Sequence, residues 1–155
     1  MANKTGYVVQ SGTIYIVAST FYSELSDELI KGATKELDSF SQLFDMTINI
    51  IQVPGAFEIP GMIKKIIDNH NPNLIITLGV LIKGETNHFE YISESVSHSI
   101  SQLTITSKIP IIFGVITALN YEQASERALI SKKNKGAEVM RTGLKMLQLY
   151  DEYKK

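Results

Sequence analysis

The chain has 155 residues, of which 44% are hydrophobic and 20% charged, enough for one globular domain with a full core. Its formal net charge of −1 gives no overall attraction to nucleic acid or a membrane surface. The lack of cysteine excludes disulfides, thiolate metal sites and cysteine nucleophiles. No apolar run approaches the roughly 20 residues of a membrane span, and the N-terminus carries no signal core. We expect a cytoplasmic protein without nucleic-acid or membrane partners.

The chain begins with a polar segment and then alternates between strand-like and helix-like runs. Residues 1–12 are poorly patterned and are expected to form an N-terminal arm. Within it, Tyr7-Val8-Val9 could add a strand to a neighbouring subunit or belong to a loose tail. A strand is predicted over residues 13–19. A helix is predicted over residues 23–40, where apolar residues recur every fourth position.

Two further strands are short apolar runs. The first covers residues 46–53 and stops at Pro54-Gly55. The second covers residues 74–80 and is apolar at successive positions, as in a strand buried on both faces. Between them, residues 58–69 carry the apolar stripe of a helix, which Asn71-Pro72 ends.

The segment after the third strand fits two patterns. Serines at every second position from 93 to 101 imitate a strand, whereas Ile92, Val96, Ile100 and Leu103 fit one helical face. We predict a helix, because two parallel strands need a crossover of about a dozen residues or more. A fourth strand over residues 111–118 and helices over 121–130 and 136–150 follow. The alternation predicts one α/β domain over residues 13–155, a flavodoxin-like, three-layer α/β/α sandwich with a four-stranded parallel sheet.

Four polar loops follow the predicted strands, at residues 19–22, 54–58, 79–88 and 118–120. They therefore lie at the carboxyl edge of the sheet, where ligands bind in open parallel sheets. The most informative is the run GVLIKGETNHFE at residues 79–90, in which a strand end is followed by a cation, a glycine, a hydroxyl, a histidine and then a helix. Because a helix N-terminus offers free N–H groups to anions, this run predicts an anion site beside a titratable group.

Five side chains are candidates for function, and each also has an ordinary explanation. Phe21 could stack on a flat ligand or pack on its own helix. Glu58 could accept hydrogen bonds from hydroxyl groups or complement the dipole of the helix it opens. His88 suits proton transfer near neutral pH but could simply begin a helix. The residues alone favour a core position for Phe113, and they do not show that Arg127 binds phosphate.

Five segments together resemble the 6,7-dimethyl-8-ribityllumazine synthase family, in the family's order and spacing from about residue 14 to residue 149. They are residues 53–60 (VPGAFEIP), 79–91 (GVLIKGETNHFEY), 110–117 (PIIFGVIT), 122–128 (EQASERA) and 134–138 (NKGAE). The resemblance implies condensation of 5-amino-6-(D-ribitylamino)uracil with 3,4-dihydroxy-2-butanone 4-phosphate, the penultimate step of riboflavin synthesis. It implies no metal or organic cofactor, and the three histidines are not spaced as zinc ligands.

The resemblance also implies a role for each matching residue. Phe21 would stack on the pyrimidine ring, and His88 would be the catalytic residue that transfers protons. Contacts to the pyrimidine and ribityl groups are implied for Gly55, Ala56, Phe57, Glu58, Val80, Leu81, Ile82, Phe113 and Lys135. Contacts to the phosphate are implied for Gly84, Glu85, Thr86 and Arg127.

The resemblance implies an active site shared between subunits. Phe113, Arg127 and Lys135 would come from the adjacent subunit, which requires at least a homopentamer. A decamer or a 60-subunit shell remains open. The chain departs from the common family pattern at Lys83, at Tyr22 and in residues 129–133.

Two other functions fit the same architecture. A non-catalytic flavin or lumazine carrier would keep Phe21 and Glu58 but would not need His88 and Arg127 together. A riboflavin synthase of the archaeal type would join two lumazines, and because it releases no phosphate it would not need the loop at residues 84–88.

Overall fold

The computed structural model describes residues 10–154. The strands are β1 Gln10–Ser19, β2 Phe44–Val53, β3 Leu74–Ile82, β4 Ile111–Ile112 and β5 Val115–Ala118. The helices are α1 Ser23–Ser39, α2 Ile59–Asn69, α3 His88–Thr106, α4 Tyr121–Ala128 and α5 Lys135–Glu152, with a single 3-10 turn at Ala56–Glu58. The segment that fitted two patterns is helical, as predicted. Across residues 10–154, no helix has the length and apolar character to cross a membrane.

All strand pairs in the sheet are parallel, in the order β2-β1-β3-β4, with β5 also beside β3. From β1 the chain runs outward to β2 and then crosses back to β3 on the other side of β1. This reversal opens a crevice at the carboxyl ends of β1 and β3, where ligands bind in sheets of this kind.

Helices cover both faces of the sheet, which confirms the predicted α/β/α arrangement. Side chains of β1 alternate between the two faces: Ile14 and Ile16 pack in one core, whereas Val17 packs in the other. The first core contains buried residues of α1, α4 and α5, and the second contains buried residues of α2 and α3. Because a strand presents successive side chains to opposite faces, one apolar strand supports both layers.

The sheet has five strands rather than the predicted four because the segment at residues 111–118 is interrupted at Phe113-Gly114. Both parts keep one register against β3. The Thr77 hydroxyl bridges the gap, donating to the Ile112 carbonyl at 2.8 Å and accepting from the Gly114 N–H at 3.0 Å. A Cβ at position 114 would lie 2.2 Å from the Thr77 carbonyl oxygen, so only glycine allows this approach.

The first strand begins earlier than its apolar pattern predicts. Gln10, Ser11 and Gly12 pair with the first residues of β2, although the sequence pattern placed them in the arm. Main-chain pairing holds these residues, so the pattern of side chains gives little sign of the strand. Tyr7-Val8-Val9, the proposed added strand, lies outside the described residues.

Candidate active site

Three of the four loops predicted at the carboxyl edge of the sheet converge on one cavity of about 510 Å³, called the site cavity from here on. The loops follow β1, β2 and β3, and the N-terminus of α3 completes the wall. The lining residues are Phe21, Tyr22, Gly55, Ala56, Phe57, Glu58, Val80, Leu81, Ile82, Gly84, Thr86, His88, Phe89 and Ile92. The fourth loop lies at the same edge, where the Ala118 carbonyl accepts from the Lys83 N–H, but it does not line the cavity.

An exposed aromatic ring forms one side of the site cavity. Phe21 is 74% exposed, which argues against the alternative that its ring packs on its own helix. Its ring meets Tyr22 edge to face, with 5.0 Å between centroids and 69° between planes. Tyr22 in turn lies 6.3 Å from the ring of Tyr121 at the start of α4. Phe21 therefore offers a free face that suits a flat heterocycle.

The turn after β2 places a carboxylate at the opposite wall. Glu58 ends the 3-10 turn and precedes α2, but its side chain makes no capping hydrogen bond to that helix. Instead, the carboxylate folds back toward Gly55, where an added Cβ would lie 2.9 Å from Oε2. Phe57, 57% exposed, stands beside it. The carboxylate is thus free to accept hydrogen bonds from hydroxyl or N–H groups of a ligand.

The loop between β3 and α3 forms another part of the cavity wall. Gly84 and Thr86 line it, and His88 is the first residue of α3. Asn87 precedes the helix but makes no capping hydrogen bond with its side chain. The Thr86 hydroxyl accepts from the His88 N–H at 3.4 Å. First-turn N–H groups and the helix dipole would favour an anion at this position, so the anion site stays a prediction.

One ion pair spans this loop. The Lys83 ammonium lies 3.0 Å from Glu90 Oε1, joining the end of β3 to the first turn of α3. The hydrogen bond from Lys83 lowers the pKa of the Glu90 carboxyl, because it favours the ionised form. A single chain thereby carries the candidate anion-binding loop with an ion pair across its two ends.

Four residues with implied roles do not line the site cavity of one chain. Glu85 is exposed in the loop. Phe113 lies in the interruption between β4 and β5 and is 43% exposed. Arg127 donates from Nη1 to the Gln123 carbonyl of its own helix at 3.3 Å. Lys135 pairs with Glu138 at 2.7 Å.

The sequence assigned no binding role to three lining residues, Tyr22, Phe89 and Ile92. Ile92 follows His88 by four positions, so helical spacing carried a signal for it, whereas Phe89 is only one position from His88 and had no such signal. Tyr22 directly follows Phe21, but its direction depends on how the chain turns into α1. In the described part of the chain, no three His, Asp or Glu residues lie close enough together to hold a metal ion.

The arrangement suits chemistry in which the protein holds two reactants in register. A flat ring can lie on Phe21, with its polar edge near Glu58, while an anionic group meets the loop at Gly84 and Thr86. His88 lines the same cavity, and an imidazole can take or give a proton.

Comparison with known proteins places this architecture in a family. The family model for 6,7-dimethyl-8-ribityllumazine synthase matches residues 11–151. The 6,7-dimethyl-8-ribityllumazine synthase of Chlamydia trachomatis is 41% identical over 144 residues, covering 92% of this chain and 91% of the relative. Those of Limosilactobacillus reuteri and Leuconostoc mesenteroides are 39% and 38% identical over 141 residues, covering 91% of this chain and 91% and 90% of the relatives.

Proposed function

Because this chain belongs to the 6,7-dimethyl-8-ribityllumazine synthase family and catalyses its reaction, we propose that the site cavity is where the two substrates meet. The reaction condenses 5-amino-6-(D-ribitylamino)uracil with 3,4-dihydroxy-2-butanone 4-phosphate. It yields 6,7-dimethyl-8-ribityllumazine, phosphate and water, at the penultimate step of riboflavin biosynthesis. The observation that carries the assignment is the convergence of Phe21, Glu58, the anion-binding loop and His88 on one cavity.

The pyrimidine substrate occupies the aromatic half of the cavity in this proposal. Its ring stacks on the open face of Phe21 and contacts Val80, Leu81 and Ile82 along the end of β3. The ribityl hydroxyls and ring N–H groups bind the turn at residues 55–58, where the Glu58 carboxylate accepts hydrogen bonds. The free carboxylate and the exposed ring support this orientation.

The phosphate of the second substrate binds at the start of α3, against main-chain N–H groups of Gly84 and Glu85 and the Thr86 hydroxyl. The pyrimidine amine then attacks the ketone carbonyl and forms an imine with loss of water. Phosphate leaves by elimination, which turns the neighbouring hydroxyl-bearing carbon into a carbonyl, and the ribityl-bearing nitrogen closes the ring on that carbonyl with loss of a second water. His88, at the junction of the two subsites, transfers protons during imine formation and phosphate elimination. Holding the reactants in register supplies most of the catalysis, since well-oriented reactants gain about 7–11 kcal/mol.

The proposed site requires a second copy of the chain. Phe113 would close the pyrimidine pocket, Arg127 would pair with the phosphate, and Lys135 would contact the polar end of the heterocycle, each from the adjacent subunit. This is consistent with their positions outside the site cavity of one chain. We accordingly propose at least a homopentamer, with a decamer or larger shell as an outcome of the mass measurement below. A cytoplasmic location is proposed with it, and the cysteine-free sequence suits a reducing compartment.

The experiment supplies both substrates to the purified protein at neutral pH and follows lumazine formation by absorbance. We expect turnover without added metal. Tight flavin binding without turnover would favour the carrier function, and formation of riboflavin from lumazine would favour the riboflavin synthase function. Light scattering on the same sample gives the mass; a monomer that turns over would contradict the shared site.

A further inference from the structure

The loop that would bind phosphate has few main-chain hydrogen bonds of its own. At its start, the Lys83 N–H donates to the Ala118 carbonyl at 2.9 Å. At its end, the Tyr91 N–H donates to the Asn87 carbonyl at 3.3 Å, and the Thr86 hydroxyl makes a long bond to the His88 N–H. Gly84 contributes no side-chain contact, and nothing lies within 4 Å of a Cβ added there. Its shape therefore depends on what holds its two ends.

The Lys83–Glu90 ion pair joins those ends. Lys83 directly follows β3, and Glu90 lies in the first turn of α3, two residues beyond His88. The pair at 3.0 Å thus closes a ring that contains the whole phosphate loop. The side chains of Lys83 and Glu90 are 47% and 46% exposed. Because solvent reaches the contact, the ion pair is expected to be weak.

We infer that Glu90 is a positioning residue, which acts through Lys83 to hold the phosphate loop and the first turn of α3 in their binding geometry. This inference rests on the proposed function, since it concerns how the same site prefers its phosphorylated substrate. Glu90 itself touches neither substrate. Glu90 holds the Lys83 ammonium beside the loop. The ammonium in turn offsets the negative charge of Glu90, which would otherwise repel the incoming phosphate.

A competing arrangement makes the opposite prediction. If Glu90 only competed with phosphate for Lys83, removing its charge would free the ammonium and strengthen phosphate binding. If the pair shapes the loop, removing either charge weakens phosphate binding. Whether Glu90→Gln strengthens or weakens phosphate binding therefore separates the two arrangements.

The test uses the assembled protein with Glu90→Gln, Lys83→Gln, the double variant and the exchanged pair Lys83→Glu with Glu90→Lys. Asp68→Asn is the matched control, because it breaks an exposed ion pair with Lys64 on α2, away from the cavity. For each protein, calorimetry gives the Kd of inorganic phosphate, amide hydrogen exchange reports residues 84–88, and steady-state assays give KM for each substrate.

We expect each single variant to raise the Kd of inorganic phosphate and the KM of the phosphate substrate roughly fivefold, the upper end for an exposed pair. The KM of the pyrimidine should stay unchanged, and exchange at residues 84–88 should quicken. The double variant should be no worse than Lys83→Gln, since the two share one interaction. The exchanged pair should recover part of the loss, and Asp68→Asn should match the parent.

A lower Kd of phosphate in Glu90→Gln, or unchanged exchange and Kd, would overturn the inference. Failure of the proposed function has a different signature, because the parent protein would then form no lumazine. The hydrogen-exchange and phosphate-binding measurements need no turnover. They therefore test the role of the Lys83–Glu90 pair whether or not the protein forms lumazine.

Discussion

The two halves of the proposed active site differ in how the chain provides them. One half is complete within a single chain, where Phe21, Glu58 and His88 line one cavity. The other half consists of Phe113, Arg127 and Lys135, which lie outside that cavity. In one chain, Arg127 is bonded to its own helix and Lys135 to a neighbour three residues on, both weak local contacts.

This difference indicates which part of the activity depends on assembly. The first half is built by loops at the ends of adjacent parallel strands, so folding of one chain is sufficient to form it. The second half carries the guanidinium that would grip phosphate in two parallel hydrogen bonds. In the proposed site, the loop of one chain and Arg127 of its neighbour would both contact the phosphate, so full phosphate binding would depend on assembly.

Replacement of His88 should have the largest effect. We expect His88→Ala to lower kcat by about 10²-fold, the low end for a proton-transfer residue, because both substrates already carry their reacting groups. The KM values should change little. His70→Ala is the control, since that ring lies at the far end of α2 against Tyr15. Steady-state kinetics on both variants checks this, and equal rates would remove His88 from the chemistry.

Replacement of Arg127 should act on the other half of the site. We expect Arg127→Ala to raise the KM of the phosphate substrate roughly thirtyfold, as a charge-assisted hydrogen bond to an anion is lost, while the KM of the pyrimidine stays constant. Arg127→Lys should recover part of the loss, because lysine keeps the positive charge but cannot donate two parallel hydrogen bonds. Initial rates at varied concentrations of each substrate test this. A matching rise in the KM of the pyrimidine would contradict the assignment.

Removal of the Phe21 ring should affect binding of the pyrimidine substrate and leave the phosphate substrate unaffected. We expect Phe21→Ala to raise the KM of the pyrimidine about tenfold, near the upper value for an aromatic contact, with the phosphate substrate unaffected. Tyr22→Phe should behave like the parent, because it keeps the edge-to-face contact, and Tyr22→Leu should show an intermediate loss. Pyrimidine binding by calorimetry gives the same ranking, and a normal affinity in Phe21→Ala would exclude stacking.

The smallest effect on activity is expected for Thr77, whose hydroxyl bridges the strand interruption that contains Phe113. Thr77→Val removes the hydroxyl that bridges the interrupted strand and should lower the free energy of unfolding by about 1–3 kcal/mol. Thr34→Val, whose hydroxyl bonds to the Ile30 and Lys31 carbonyls of its own helix, is the control and should cost less. Denaturant unfolding compares them, and equal stability would show that the bridge contributes nothing.

The sequence predicted the layers of the fold well because strand and helix periods are local properties. The interruption at Phe113-Gly114 was missed, since the Thr77 hydroxyl that replaces the ladder bonds lies on another strand. The start of β1 at Gln10 was missed because main-chain pairing leaves no apolar pattern. In both cases the deciding contact is distant in sequence.

The candidate site was also predicted in part. The residues of the three converging loops were predicted from their positions after strands together with the family motifs. Tyr22 was not assigned to the wall, because its side-chain direction depends on the turn into α1. The Lys83–Glu90 pair was not predicted either, since Lys83 lies outside the helix that contains Glu90 and helical spacing cannot relate the two.

Mixing two variants tests the central claim most directly, namely that neighbouring chains share each active site. His88→Ala and Arg127→Ala proteins are unfolded together at equal amounts, reassembled, and assayed for lumazine formation. If one chain gives His88 and its neighbour gives Arg127, roughly a quarter of the interfaces regain both residues, and activity rises well above that of either variant alone. Activity no greater than the average of the two separately reassembled variants would contradict the shared site.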